Sequence, residues 1–314
     1  MKINVPLTTA AALVLATFGI VTPAAATEAG GNSYALGVET AFSGLMPADG
    51  FHQFVYYAHY EADTNKGNDG SDNKALAYYK LRSDTVSTRL SYVWPGVQLF
   101  GASIETRVAL VLPTIDLSLG IARPAPLTPI DKSGSTTGFA DPQVAPVLLG
   151  WHTPTLHQTA GFETFLPIGS YDVNKPVNAG RHYFQVAPIY AVTWIPGNGF
   201  QGDIKLRYGI NGVNHETHYR SGDELSIELN ADYRVLPNLS LGANGFVYRQ
   251  TTDDRLAGAA VNGNGNRGRV ASIGPIAAWN ITPKFLVLAK VLPEFDVRNR
   301  GDGTRFWLQA KLPW

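Results

Sequence analysis

Ten charged residues sit at alternate positions of long, two-faced stretches: Arg89, Glu105, Arg107, Asp203, Lys205, Arg207, Glu224, Glu228, Asp232 and Arg234. Side chains two apart on a strand share a face, so each group projects to one side of a sheet. Gathered inside a closed sheet, mixed charges could line a pore and select its solutes. They could equally pair with one another and hold a narrow lumen shut. Residue types alone leave both readings open.

Other chemistry is thinly represented. The chain has no Cys, which removes thiol catalysis and Cys-ligated metals. Gly263, Gly265 and Gly268 match G-x-G-x-x-G, but the strand before and the helix after that a dinucleotide site needs are missing. Asp63, Asn65, Gly67 and Asp69 begin like a calcium loop. Asn68 then stands where the turn Gly belongs, and Lys74 where the final Glu belongs. His215 and His218 lack a clear third ligand, so the pair reads as a solvated loop. A barrel lipase would need a Ser activated by a nearby His, and no such short motif is present. Asp253 and Asp254 could supply acid to a protease, but no His accompanies them in sequence. No cofactor, metal site or catalytic residue is therefore expected.

The elements that must carry the ten charges are long strands. From Glu224 the chain alternates strictly, with Leu225, Ile227, Leu229, Ala231, Tyr233 and Val235 opposite the polar parity. Leu236-Pro237-Asn238 makes a tight turn, and a second strand runs to Gln250. Strands of this length suit a bilayer, which takes roughly 9–11 tilted residues, better than a soluble sandwich. The pattern predicts twelve strands, near 51–62, 84–95, 102–117, 139–152, 157–168, 181–195, 200–212, 222–236, 238–250, 268–281, 284–295 and 303–314. Strands 268–281 and 284–295 carry apolar residues on both parities, as a bulge or a partly filled lumen would require.

The connections alternate as well. Asp63–Ser83, Leu119–Gly138, Ser170–Gly180 and Thr251–Arg267 are long and polar. Trp94-Pro95-Gly96, Thr153-Pro154-Thr155, Ile195–Asn198, Leu236–Asn238 and Thr282-Pro283-Lys284 are tight. Long loops outside and short turns inside mark an all-β, up-and-down transmembrane barrel with extracellular loops and periplasmic turns. Tyr56, Tyr57, Tyr60, Trp94, Trp151, Trp194 and Trp279 are placed to form interfacial girdles. The last strand shares one parity among Phe306, Leu308 and terminal Trp314. This resembles the signal that outer-membrane barrels present to their insertion machinery.

Lys2, an apolar run ending at Pro23, and Ala24-Ala25-Ala26 read as a signal peptide over residues 1–26. Residues 27–50 are then a periplasmic arm, a short strand or a lumen plug, and residues 51–314 the barrel. The expected location is the bacterial outer membrane, with lipid, lipopolysaccharide and a small solute as partners. Twenty-five basic and 25 acidic residues give zero net charge and no excess for nucleic acid. At 45% hydrophobic and 16% charged, the chain is not a disordered one.

Several stretches resemble one family. They include Leu36–Thr40, Gly138–Pro142 with Leu149–His152, Leu166–Asp172 and Tyr219–Glu224. Thr251–Asp254, Asn266–Val270, Val297–Arg300 and Arg305–Leu308 continue the match. Together they look like the proteobacterial outer-membrane family named for a MetA-pathway of phenol degradation. The resemblance implies a barrel and a transporter of aromatic or other hydrophobic compounds, with no catalytic motif. The expected function is passive uptake of such molecules. A closed structural or adhesive barrel is the alternative, and an outer-membrane lipase a weaker one.

Overall fold

The computed structural model describes residues 31–313. Twelve long strands follow one another: β1 (Gly50–Lys66), β2 (Leu76–Leu99), β3 (Ala102–Ile121), β4 (Gln143–His152), β5 (Leu156–Phe165) and β6 (Gln185–Trp194). Then come β7 (Phe200–Asn211), β8 (Glu224–Leu236), β9 (Leu239–Gln250), β10 (Arg269–Thr282), β11 (Phe285–Arg298) and β12 (Arg300–Lys311). Each pairs antiparallel with its chain neighbours, and β1 pairs with β12 from Phe54↔Lys311 to Lys66↔Arg300. The sheet closes on itself. Closure pairs the backbone edges that would otherwise be stranded in lipid.

The faces follow the alternation. On β7, Gln201, Asp203, Lys205, Arg207 and Asn211 are buried, while Ile204, Leu206 and Ile210 are exposed to the lipid side. Leu229, Tyr233, Val247 and Leu308 continue that apolar outer face. Trp94, Trp194 and Trp279 stand outward near the periplasmic ends, with Tyr92 edge-on to Trp94 at 5.0 Å and Phe200 edge-on to Trp194 at 5.7 Å. Tyr57 is outward too, but Tyr56 and Tyr60 point inward and do not belong to a girdle. Phe306 and Leu308 share the outer face of β12; Trp314 and the signal segment lie outside the described residues.

Four connections depart from the expected pattern. Asp63–Ser83 is mostly strand: β1 and β2 extend upward and leave only residues 67–75 as loop. Asp63 and Asn65 therefore lie on β1 and not in a calcium-type loop. Lys80 bridges Glu61 at 2.9 Å and Asp63 at 3.3 Å, which ties the extended strands together. Trp94-Pro95-Gly96 is not a turn either. The β2–β3 pairing shifts between Val93 and Gln98, so Pro95 sits in an irregularity where no ladder bond is needed. The chain reverses at Phe100 and Gly101, both with positive φ, as a tight hairpin of matching twist requires. Between β11 and β12 only Asn299 intervenes, at φ 51°, a conformation that Asn tolerates. Within 119–138, Ile130–Asp131 and Gly134–Thr137 fold back and pair with β3.

The packed core is inside the barrel. Residues 31–49 enter the lumen and pass down it to the start of β1. Tyr34 and Leu36 cluster with Tyr56, Phe165, Phe246, Tyr248, Leu292 and Trp307. Burial of an apolar side chain of that size contributes about 1.5–3 kcal/mol. Lower down, Ala41 and Phe42 pack on Ile276, Ala278 and Leu288 of β10 and β11. This explains the two apolar parities of those strands: one face meets lipid and the other meets the lumenal segment. Pairing shifts at both ends of the β10–β11 ladder add the irregularity that the sequence implied.

Candidate functional site

The inward-facing residues form two layers. In the lower layer, eight of the ten charges chosen from the sequence are buried: Glu105, Arg107, Asp203, Lys205, Arg207, Glu224, Glu228 and Asp232. Arg89 is nearly so, at 14% side-chain exposure. Arg234 differs: it is exposed at the periplasmic end of β8 and takes no part in the layer.

Charges this far from water need partners. Arg107 makes two bonds to Glu105, at 2.6 and 2.9 Å. Arg207 donates to Glu224 at 3.2 Å and to Glu163 at 3.3 Å. Lys205 donates to Glu163 at 2.8 Å. These wall pairs leave a gap that Glu39 of the lumenal segment fills. Its carboxylate contacts Arg89 and Lys205 and lies 3.3 Å from Arg107. One run of ion pairs thus joins Glu105 to Glu224 through a residue that is not part of the wall.

The wall also grips the segment's backbone. Glu228 accepts the N–H of Gly37 at 2.6 Å and of Glu39 at 2.8 Å. Lys290 donates to the carbonyls of Gly37 (2.7 Å) and Val38 (3.1 Å) and to Thr40 Oγ1 (2.9 Å). Gln309 donates to Val38 O at 2.7 Å. Thr40 Oγ1 donates to Asn244 Oδ1 at 3.0 Å, and Gly44 N to Thr193 Oγ1 at 2.9 Å. Gly37 has φ 82°, and a Cβ there would stand 2.5 Å from Leu292 Cδ1, so only glycine fits. Nearer the periplasm, Asp203 accepts from Thr193 (2.5 Å), Gln201 (2.8 Å) and Asn230 (2.9 Å), and Asn230 also donates to Asp232 at 2.7 Å.

Sequence reasoning missed Glu39, Glu163 and Lys290. Glu163 and Lys290 had a signal: Glu163 is the one acid or base of β5 apart from His157, and Lys290 interrupts the apolar run Phe285–Leu292. Glu39 lies in Leu36–Thr40, a stretch of the family resemblance, inside a segment for which a lumen plug is one of three readings; no periodicity singles out its carboxylate.

The upper layer is a cavity of ≈710 Å³. Its position follows from a second change of pattern that the sequence carries. Through most of the wall, apolar residues face out. Above Pro113 of β3 the parities exchange: Thr114, Asp116 and Ser118 face out, while Ile115, Leu117 and Leu119 line the cavity. β2 does the same, with Lys80, Arg82 and Asp84 outward and Tyr79 and Leu81 inward. Here the outward side chains are polar, as water-facing strand ends would be, and the apolar face turns in. Tyr34 and Ala35 of the lumenal segment form the floor with Trp307 and Phe165.

Buried carboxylates hold the loops above. Asp141 accepts the backbone N–H of Gly169 (2.9 Å), Arg181 (2.7 Å) and His182 (3.1 Å). Asp254 accepts from Tyr219 Oη (2.6 Å), Gly222 N (2.8 Å) and Gln250 (2.7 Å), and burial still raises its pKa above the usual carboxylate range. His215 and His218 remain in the loop before β8, and no group of three metal-ligating side chains occurs among the described residues.

An apolar outer belt, a closed antiparallel sheet, short turns at one end and long loops at the other define an outer-membrane β-barrel. Residues 64–310 match the family described as "Putative MetA-pathway of phenol degradation", and the chain belongs to that family. Its fold is similar to that of an outer membrane channel from Pseudomonas putida F1, at 19% identity and a TM-score of 0.69, over 88% of this chain and 98% of that one. More distant likenesses include the CymD monoaromatic hydrocarbon channel (10% identity, TM-score 0.43, 87% and 90% covered). Another is a Pseudomonas aeruginosa FadL homologue (10%, 0.43, 92% and 98%). No curated protein matches the sequence.

Proposed function

We propose that the protein is a passive outer-membrane channel for small hydrophobic or aromatic molecules, gated by its own lumenal segment. The observation that carries this reading is the upper cavity. It is walled by inward-turned Ile115, Leu117 and Leu119 and by aromatic rings, and it is floored by a segment held through polar contacts. Cavities of roughly 300–1,000 Å³ with apolar walls suit small ligands. A solute would enter from the extracellular side, dissolve in the cavity and pass when residues 31–46 shift. No covalent step and no cofactor are involved. Outward Lys80, Arg82 and Asp84 would lie at the level of lipopolysaccharide headgroups.

The filled lower layer favours a second reading, a closed structural barrel, which predicts no flux. The two separate in intact Gram-negative cells, whose lipopolysaccharide excludes the dye N-phenyl-1-naphthylamine. Expression of the protein is expected to raise the rate of dye uptake. Leu117→Asp should remove most of that gain, because an unpaired polar group in an apolar cavity costs about 1–3 kcal/mol, a factor of roughly 5 to 150. Uptake at the background rate with correctly folded wild-type protein would favour the closed barrel.

A further inference from the structure

The lining of the upper cavity carries an excess of positive charge. Its only acid among the described residues is Asp141, whose oxygens are occupied by three backbone N–H groups. Its cations are Lys132, Arg181, Arg300 and Arg305. Arg305 is satisfied by Glu294 at 3.1 Å, and Tyr60 donates to the same carboxylate at 2.9 Å.

Arg300 is different. It is only 4% exposed, and its Nε is buried without a hydrogen-bond partner. Among the described residues its one hydrogen bond is a long one, Nη2 to Asn32 Oδ1 at 3.5 Å. Its guanidinium lies over the Tyr248 ring at 4.9 Å. No carboxylate among the described residues reaches ion-pair distance of Arg300 or Arg181. A buried, always-charged guanidinium without an acid is costly, and its planar fork is shaped for a carboxylate. Tyr79, Trp307 and Phe165 line the same space and make its floor and wall aromatic.

We infer that the cavity binds aromatic carboxylates, with the ring against the aromatic wall and the carboxylate on Arg300. This rests on the reading of the cavity as the solute site and names the solute class. Arg181, from the loop above, supplies a second positive charge. The neutral counterpart of such a ligand fills the same apolar space but leaves the guanidinium unpaired.

The test is equilibrium dialysis of the full chain in lipid nanodiscs at pH 7, with empty nanodiscs as blank. Radiolabelled benzoate, benzyl alcohol and acetate are the probes. The expected result is saturable benzoate binding, with benzyl alcohol weaker by about 10- to 100-fold, the range of a hydrogen bond to a charged group, and acetate weaker because it has no ring to bury. Arg300→Gln should bring benzoate down to the level of benzyl alcohol. Arg300→Lys should retain part of the preference, since it keeps the charge and loses the fork. Heat-modified gel mobility checks that each variant is folded. Benzoate binding no tighter than benzyl alcohol in the wild type would overturn the inference and leave the apolar site standing. Unchanged benzoate preference in folded Arg300→Gln would overturn it too. Failure of both aromatic probes to bind would remove the cavity reading on which it rests.

Discussion

Deleting residues 31–46 is expected to convert a nearly silent barrel into one with steady unitary conductance several-fold above wild type in a planar bilayer. Those residues occupy the lumen from the cavity floor to the periplasmic side, with Leu36 wholly buried and Tyr34 and Met46 nearly so. Twelve strands enclose more space than the side-chain-filled interior of an eight-strand barrel and less than a sixteen-strand porin. Such a lumen can be stopped by one strand's worth of chain and conducts once that chain is gone. The wall should survive the loss. Its ladder is continuous from β1 round to β12, and its charges would exchange Glu39 for water. Equal conductance in the deleted and intact proteins would mean that the segment does not block the lumen.

Glu39→Gln is expected to loosen the segment without removing it. Arg89, Arg107 and Lys205 all converge on this one carboxylate. Removing one partner of a buried ion pair costs about 3–5 kcal/mol, because the charges left behind stay desolvated. Concentrated on the docked state, that shifts the ratio of docked to undocked segment by a factor of roughly 10² to several times 10³. The absence of native Cys makes this measurable: a Leu36→Cys reporter is buried in the docked state and should react with maleimide far faster in the Glu39→Gln background. Arg234→Gln, at the exposed mouth, is the control and should leave the rate unchanged. Equal reactivity in all three backgrounds would show that Glu39 does not hold the segment.

Much of the wall was legible because a barrel strand obeys one rule. Ile204, Leu206 and Ile210 against Asp203, Lys205 and Arg207 can satisfy lipid on one side and a polar interior on the other in only one register. Trp94-Pro95-Gly96 misled for a local reason: Pro and Gly mark irregular backbone, and a mid-strand irregularity carries the same marks as a turn. The exchange of parities above Pro113 was present in the sequence as Thr114, Asp116 and Ser118 opposite Ile115, Leu117 and Leu119. It reads as a continuing strand unless the end of the lipid belt is placed first. The choice among arm, strand and plug for residues 27–50, and the role of Glu39, were beyond reach for a deeper reason. The burial of Glu39 and its neighbours is set by the shape of the lumen, a product of all twelve strands together, and irregular chain has no period of its own.

The most direct measurement joins the lumenal segment to the wall reversibly. Thr40 and Asn244 touch through oxygens 3.0 Å apart, so a Thr40→Cys, Asn244→Cys pair places two thiols at that contact in an otherwise Cys-free chain. Dye uptake is followed in cells expressing this variant, oxidised and then reduced, with disulfide formation confirmed by mass. If solutes pass by displacing the segment, uptake falls to background in the oxidised protein and returns on reduction. Uptake that proceeds at the same rate with the disulfide closed would contradict the gate.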